Sequence, residues 1–153
     1  MPNWGYSITG LDPNKTAIAS GRDLKISPKA AREICATIRQ MRLKDAEAFL
    51  ADVIEKRRPV PFKHHNKEVP HRRGLQGWYA GRYPVKAARE LLKLLKSLEA
   101  NAGEKDLEIE SLKIIHAAAQ RGMKIRKVVP RAFGRSSVHA RELVHIELAV
   151  AKV

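Results

Sequence analysis

Residues 111–141 carry eight basic side chains (Lys113, Arg121, Lys124, Arg126, Lys127, Arg131, Arg135 and Arg141) and no acidic one. On either side, residues 112–120 and 143–150 read as β-strands. In the second, Val144, Ile146, Leu148 and Val150 alternate with His145, Glu147 and Ala149, a half-buried pattern. Between the two the apolar content falls, yet Ile125, Val128, Val129 and Val138 keep β propensity, and residues 130–135 read as a turn. Strands that continue to that turn form a hairpin over 113–150, with arms of about fifteen residues or roughly 50 Å each. Such arms outreach a small domain, so the distal half must project. A two-stranded ribbon is marginal by itself in water, and like charges side by side weaken it further. An external polyanion has to supply the missing stabilisation.

The rest of the chain can supply a body for this projection. At 153 residues it favours one domain, and a chain of that size buries roughly 68–70% of its unfolded surface. It holds 30 Lys and Arg against 16 Asp and Glu, a formal charge of +14, with an ordinary apolar fraction of 44%. A folded domain with a polyanionic partner fits both facts. No apolar run approaches the ~18 residues of a membrane span, and residues 1–10 lack the layout of a signal peptide. The partner could be nucleic acid or an anionic membrane surface, with nucleic acid expected and no membrane span, and the chain reads as intracellular and soluble. The single cysteine, Cys35, excludes an intrachain disulfide and a Cys-rich zinc site. On the apolar face of a helix it is expected to be a small buried side chain.

Residues 1–14, with Pro2, Gly5, Gly10 and Pro13, read as an irregular arm that Trp4 and Tyr6 could pin in place; residues 15–153 read as a single RNA-binding domain. A strand is expected over 15–25, weakened at Gly21. Ser27-Pro28 is a helix start, serine as N-cap and proline in the first turn. Ala31, Ile34, Cys35, Ile38 and Met41 follow on one face, with Lys29, Arg32, Arg39 and Arg42 off it. A second amphipathic helix begins near Asp45, carries Ala46, Phe49, Leu50, Val53 and Ile54, and ends in Lys56-Arg57-Arg58 before Pro59. A third opens at Pro84, faces Ala88, Leu91, Leu92, Leu95 and Leu98 inward, and stops at Asn101-Ala102-Gly103, glycine being the preferred left-handed cap.

Residues 59–83 show neither period. Pro59, Pro61, Pro70, Gly74, Gly77 and Gly81 interrupt them, and five basic residues face one acid, Glu68. So long a loop is uncommon in a compact domain and is usually functional or ordered by a partner. Phe62, Trp78, Tyr79 and Tyr83 interleave with His64, His65, His71, Arg72, Arg73 and Arg82, a mixture of stacking rings and cations that suits RNA. The plainer alternative is that the rings pack the loop onto the core while the charges face water.

Catalytic chemistry finds little support. His64, His65 and His71 have only Glu68 nearby, a thin ligand set for a metal, and solvated or RNA-facing histidines are the better reading. Glu104, Asp106, Glu108 and Glu110 lie beside a helix end without His or Ser partners and read as a solvated connector. No phosphate-binding glycine loop, nucleophile elbow or paired-histidine helix is present. No cofactor, metal or enzyme activity is expected.

Three stretches then carry a resemblance: 26–32 (Ile-Ser-Pro-Lys-Ala-Ala-Arg), 98–101 with Ala102 (Leu-Glu-Ala-Asn-Ala), and 128–135 (Val-Val-Pro-Arg-Ala-Phe-Gly-Arg) followed by 144–148 (Val-His-Ile-Glu-Leu). The chain resembles the L-twenty-two family of large-subunit ribosomal proteins, in its archaeal and eukaryotic branch, over about 15–151. Its tip pattern is proline-arginine-alanine, a variable residue, then glycine-arginine. Phenylalanine at the variable position and Glu142 in the returning strand depart from it. The resemblance implies an α/β fold of the α+β kind: three helices packed on a small three-stranded antiparallel sheet, with a long protruding β-hairpin. It also implies a role in subunit assembly and a hairpin threaded through ribosomal RNA. Its tip (Pro130, Arg131, Ala132, Phe133, Gly134, Arg135) would line the nascent-peptide tunnel beside ribosomal protein L-four. Arg121, Lys124, Arg126, Lys127, Arg131, Arg135 and Arg141 would engage RNA along the hairpin, with Lys29, Arg32, Arg72, Arg73 and Arg82 on the body. A free-standing RNA- or DNA-binding regulator is the alternative, although it would ordinarily need a symmetric dimer or a base-reading helix. A nuclease built on His64, His65 and Glu68 is a third.

Overall fold

Among the residues described by the computed structural model, 5–152, the elements run β1 (Thr16–Leu24), α1 (Pro28–Ile38), α2 (Leu43–Ile54), β2 (Val60–Pro61), β3 (Gly81–Arg82), α3 (Val85–Gly103), β4 (Leu112–Pro130) and β5 (Ser136–Lys152). Trp4, expected to help pin the arm, lies outside the described residues. The main sheet is antiparallel with order β1-β5-β4, and β2 and β3 form a separate two-stranded ribbon. α1 lies over β4, α3 over β1, and α2 packs against α3. Three helices on a three-stranded antiparallel sheet with a long hairpin is the expected α+β architecture.

One apolar cluster joins these layers. Ile34 and Ile38 of α1, Leu50 of α2 and Leu91, Leu95 and Leu98 of α3 meet Val144, Ile146, Leu148 and Val150 of β5. Gly21 does not interrupt β1; it makes room for α3, because a Cβ there would stand 2.9 Å from Leu94 Cδ1. Cys35 is buried in this core, and burial, only partly offset by Arg39, pushes its thiol up to about 12.

The structure departs from the local expectations at four places. α1 stops at Ile38, so Met41 lies in the turn that follows, which bonds to β4 through Gln40 N to Ile114 O and Ile114 N to Met41 O. Ser27 occupies the N-cap without a side-chain bond; its carbonyl alone accepts from Ala31. Gly103 is the last residue of α3 and not a left-handed cap, a conformation taken three positions on by Asp106 (φ 54). Finally, β5 is not half-buried. As the central strand it buries His145, Glu147 and Ala149 as well as its core face.

The N-terminal arm reaches that second face at Glu147. Ser7 donates to the Glu147 carboxylate from its amide (2.9 Å) and its hydroxyl (2.5 Å), which ties the arm to the sheet. Glu147 is 1% exposed, with Arg22 at 3.7 Å and His116 at 3.9 Å. Burial alone would raise its pKa, but the Ser7 bonds, then Arg22 and His116, outweigh it and hold the carboxyl below the usual range. A carboxylate whose pKa is depressed by folding stabilises the fold above its unfolded value and loses that contribution as pH falls through the folded one. Ser7→Ala should therefore lower stability by about 1–2 kcal/mol at pH 7. The gap from wild type should narrow in urea melts below the ordinary carboxylate value of 4.5. A gap of equal size at acid pH would detach Ser7 from the Glu147 charge.

Candidate nucleic-acid interface

β4 and β5 stay paired from Leu112↔Lys152 to Pro130↔Ser136, and every residue from 123 to 141 is exposed. The projection therefore covers residues 123–130 of β4 and 136–141 of β5, or roughly 20–27 Å of ribbon below the tip. It leaves the body at a bulge between Arg121 and Lys124. Gly122 lies there against the buried His145 ring, and a Cβ in its place would fall 2.7 Å from His145 Nε2. That close approach fixes how the hairpin emerges.

Cross-strand partners share a face. Lys124↔Glu142, Arg126↔Ala140 and Val128↔Val138 lie on one side, while Ile125↔Arg141, Lys127↔His139 and Val129↔Ser137 lie on the other. Both faces are mixed, with cations and exposed apolar side chains on each, so neither is a core face. At the end, Phe133 (φ 57) and Gly134 (φ 64) form a two-residue turn closed by Arg135 N to Ala132 O at 3.3 Å, with Arg131 N to Arg135 O at 2.9 Å below it. Positive φ at both central residues matches the primed hairpin turns. Phenylalanine tolerates it poorly, and its ring is 97% exposed.

The expected cations divide into three groups. Arg121 and Lys124, at the root, hold Glu142 at 3.5 and 3.1 Å, an internal partner that competes with phosphate. Arg126, Lys127, Arg131, Arg135 and Arg141 are exposed and make no ion pair among the described residues. On the body, Lys29 and Arg82 join Arg141 around one cleft, and Arg32 is exposed on α1. Arg72 lies over the Tyr83 ring at 5.4 Å, and Arg73 is exposed beside it.

Residues 59–83 are ordered from within. Glu33 of α1, 3% exposed, accepts the backbone amides of Lys63 (3.0 Å), His64 (3.1 Å) and His65 (2.9 Å). The Trp78 indole donates to Phe62 O at 2.9 Å, and His71 bridges Ala80. Phe62 is consumed by the core, as the plainer reading has it. Trp78 stacks on Tyr79 with centroids 5.0 Å apart and 23° between planes; Tyr79 is 49% exposed and Tyr83 half-buried, so both remain within reach of a partner. The histidines do not converge on a metal. His64 meets His65 edge-on at 4.9 Å, and His71 meets Tyr79 at 5.0 Å. Among the described residues no three His, Cys, Asp or Glu side chains are placed to hold one. Burial, then the neighbouring His64, hold the His65 imidazole below its usual range. Glu108 and Glu110 pair at the surface with Lys152 (2.8 Å) and Lys44 (3.0 Å). No helix among the described residues is long and apolar enough to cross a membrane.

A family model described as ribosomal protein L22p/L17e matches residues 19–151, which include all three helices and nearly the whole sheet. The chain belongs to this family. It is similar to the large ribosomal subunit protein uL22 of Methanosphaera stadtmanae, 52% identical over 147 residues and 96% of each chain. The Archaeoglobus fulgidus protein of the same name is 48% identical over 100% of this chain and 98% of its own. That of Aeropyrum pernix is 46% identical over 100% of both. As a ribosomal protein of the L22p/L17e family, the chain is a structural constituent and not an enzyme. Glu33 is the residue of consequence that sequence reasoning missed, and the ion pairs of Glu142 and the burial of Glu147 are roles it did not foresee. Each is an acid in a local pattern that suggests solvent, and each is put to use by a partner distant in sequence.

Proposed function

We propose that this family member is built into the large ribosomal subunit in the cytoplasm. Its hairpin binds ribosomal RNA and helps the subunit to assemble. The observation that carries this reading is the exposed ribbon of residues 123–141, with unpaired cations on both faces. A surface-bound ribbon needs charge on one side only; charge on both suits a ribbon surrounded by phosphate. Arginine forks onto phosphate oxygens and stacks on bases, whereas lysine acts as a point charge. Recognition is by RNA shape and backbone. Lys29, Arg32, Arg72, Arg73 and Arg82 extend the contact onto the body. The family resemblance of the tip supports a tunnel-lining position for Pro130, Arg131, Ala132, Phe133, Gly134 and Arg135, beside ribosomal protein L-four and facing the nascent polypeptide.

Sedimentation of native extract combined with crosslinking tests the proposal. The chain is expected in the large-subunit fraction, with crosslinks from residues 126–135 to its RNA. Recovery mainly from the soluble pool, without such crosslinks, would favour the free-standing regulator.

A further inference from the structure

A cleft of about 910 Å³ lies between the starts of α1 and α3, the 62–69 segment and the root of the hairpin. Lys25, Lys29, Lys67, Arg82, Lys86 and Arg141 border it. Two acids also border it, Glu68 and Glu142, and Glu142 is already held by Arg121 and Lys124. The first-turn amides of Lys29, Ala30, Lys86 and Ala87 lack intrahelical acceptors. The positive ends of both helix dipoles meet here and add to the side-chain charge. Pro28, Val69, Tyr83, Pro84 and Val85, each half-buried, provide apolar lining between the cations.

We propose that this cleft seats an unstacked nucleotide of ribosomal RNA, its phosphates on Lys29, Lys67 and Lys86 and its base against the apolar lining by Tyr83. The inference rests on the RNA-binding reading above and extends it to Lys25, Lys67 and Lys86, on a surface separate from the hairpin tip. The volume is at the upper end of the ~300–1,000 Å³ of sites that enclose small molecules. A base-paired helix keeps its bases stacked inside and would meet only the rim. Single-stranded loops and bulges splay their bases outward, which suits a pocket with an apolar wall. The site is also fixed in shape, because Glu33 clasps the backbone of 63–65 along one wall. An acidic peptide would satisfy the cations but would make poorer use of the backbone amides and the ring.

The test measures affinity of the full chain for large-subunit RNA as a function of salt. Lys67→Glu combined with Lys86→Glu is compared with Arg126→Ala combined with Lys127→Ala in the hairpin. Lys67 and Lys86 are exposed, so an unchanged melting temperature serves as the folding control. Two single-strand phosphate contacts contribute about 1.4 to the slope of log K against log salt. The cleft variant should lose that amount, bind about tenfold more weakly at 0.1 M salt, and lose ultraviolet crosslinks from Tyr83 to RNA. Lys67→Ala with Lys86→Ala should shift both quantities less, in the same direction. An unchanged slope and retained crosslinks, while the hairpin pair still weakens binding, would empty the cleft and leave the RNA-binding reading intact. If neither pair alters the slope, that reading itself fails. Crosslinks from Tyr83 to another ribosomal protein would assign the cleft to a peptide and overturn the inference. Tight binding of adenosine monophosphate to the free chain, with RNA affinity unaffected in the variant, would overturn it in favour of a free nucleotide.

Discussion

Glu33→Ala is expected to lower stability by about 3 kcal/mol and to release residues 63–65 from the body. The carboxylate is buried and accepts three backbone amides, at 3.0, 3.1 and 2.9 Å. Hydrogen bonds to a charged acceptor contribute about 1.5–3 kcal/mol each, but they are not additive here. Residues 63 and 64 are exposed, so their amides regain water when the clasp is lost. Glu33→Gln is the discriminating variant. It keeps the shape and one acceptor oxygen, but it turns an NH₂ toward donors, and it should recover less than half of the loss. Chemical denaturation measures the stability, and hydrogen exchange at 63–65 reports the local release. Unchanged protection there in Glu33→Ala would mean that the ribbon of β2 and β3 and the Trp78 bond hold the segment without the clasp. The clasp also shapes one wall of the basic cleft, so a loosened segment should weaken RNA binding without the loss of any cation.

This clasp explains why 59–83 reads as a segment waiting for a partner. Its order comes from an acid on α1 about thirty residues away, and no local period signals such a pairing. Glu147 is the same case at longer range: its partner Ser7 is 140 positions distant, and the alternation of β5 correctly places the residue opposite the core while giving no hint that an arm covers that face. The helices are legible because their apolar spacing is a property of a few consecutive turns, and Ala88, Leu91, Leu95 and Leu98 of α3 are buried where that spacing puts them, with Leu92 only half-buried. The helix ends are less so. Gly103 is the expected stop by composition, yet the helix includes it and the left-handed turn falls on Asp106. The hairpin was the most legible element of all. Its signal is the continuous β propensity of a stretch without acids, and nothing distant is needed to form it. The cleft was illegible for the opposite reason, since three separated segments and the hairpin root create it.

Neutralising Arg126, Lys127, Arg131 and Arg135 together by alanine should produce the largest functional loss with the smallest structural one. All four side chains lie in the exposed ribbon and contribute nothing to the core, so stability should stay within ~0.5 kcal/mol of wild type. If each meets one phosphate, the slope of log K against log salt for large-subunit RNA should become shallower by about 3, and affinity should fall on the order of 10²–10³-fold at moderate salt. Replacing Arg121 and Lys124 instead should do less, because both are already engaged by Glu142 and give up that contact to reach RNA. By the same reasoning Glu142→Gln should free two cations and strengthen binding. The ordering of the three variants is more telling than any single value. A ribbon that merely decorates the surface would give three small, similar effects. One stabilised by surrounding phosphate should respond in proportion to the cations it can spare, and its amides over 123–141 should exchange fast in the free chain and slowly in the complex. Slow exchange there without RNA would show that the ribbon holds itself together, and the need for a polyanion would vanish.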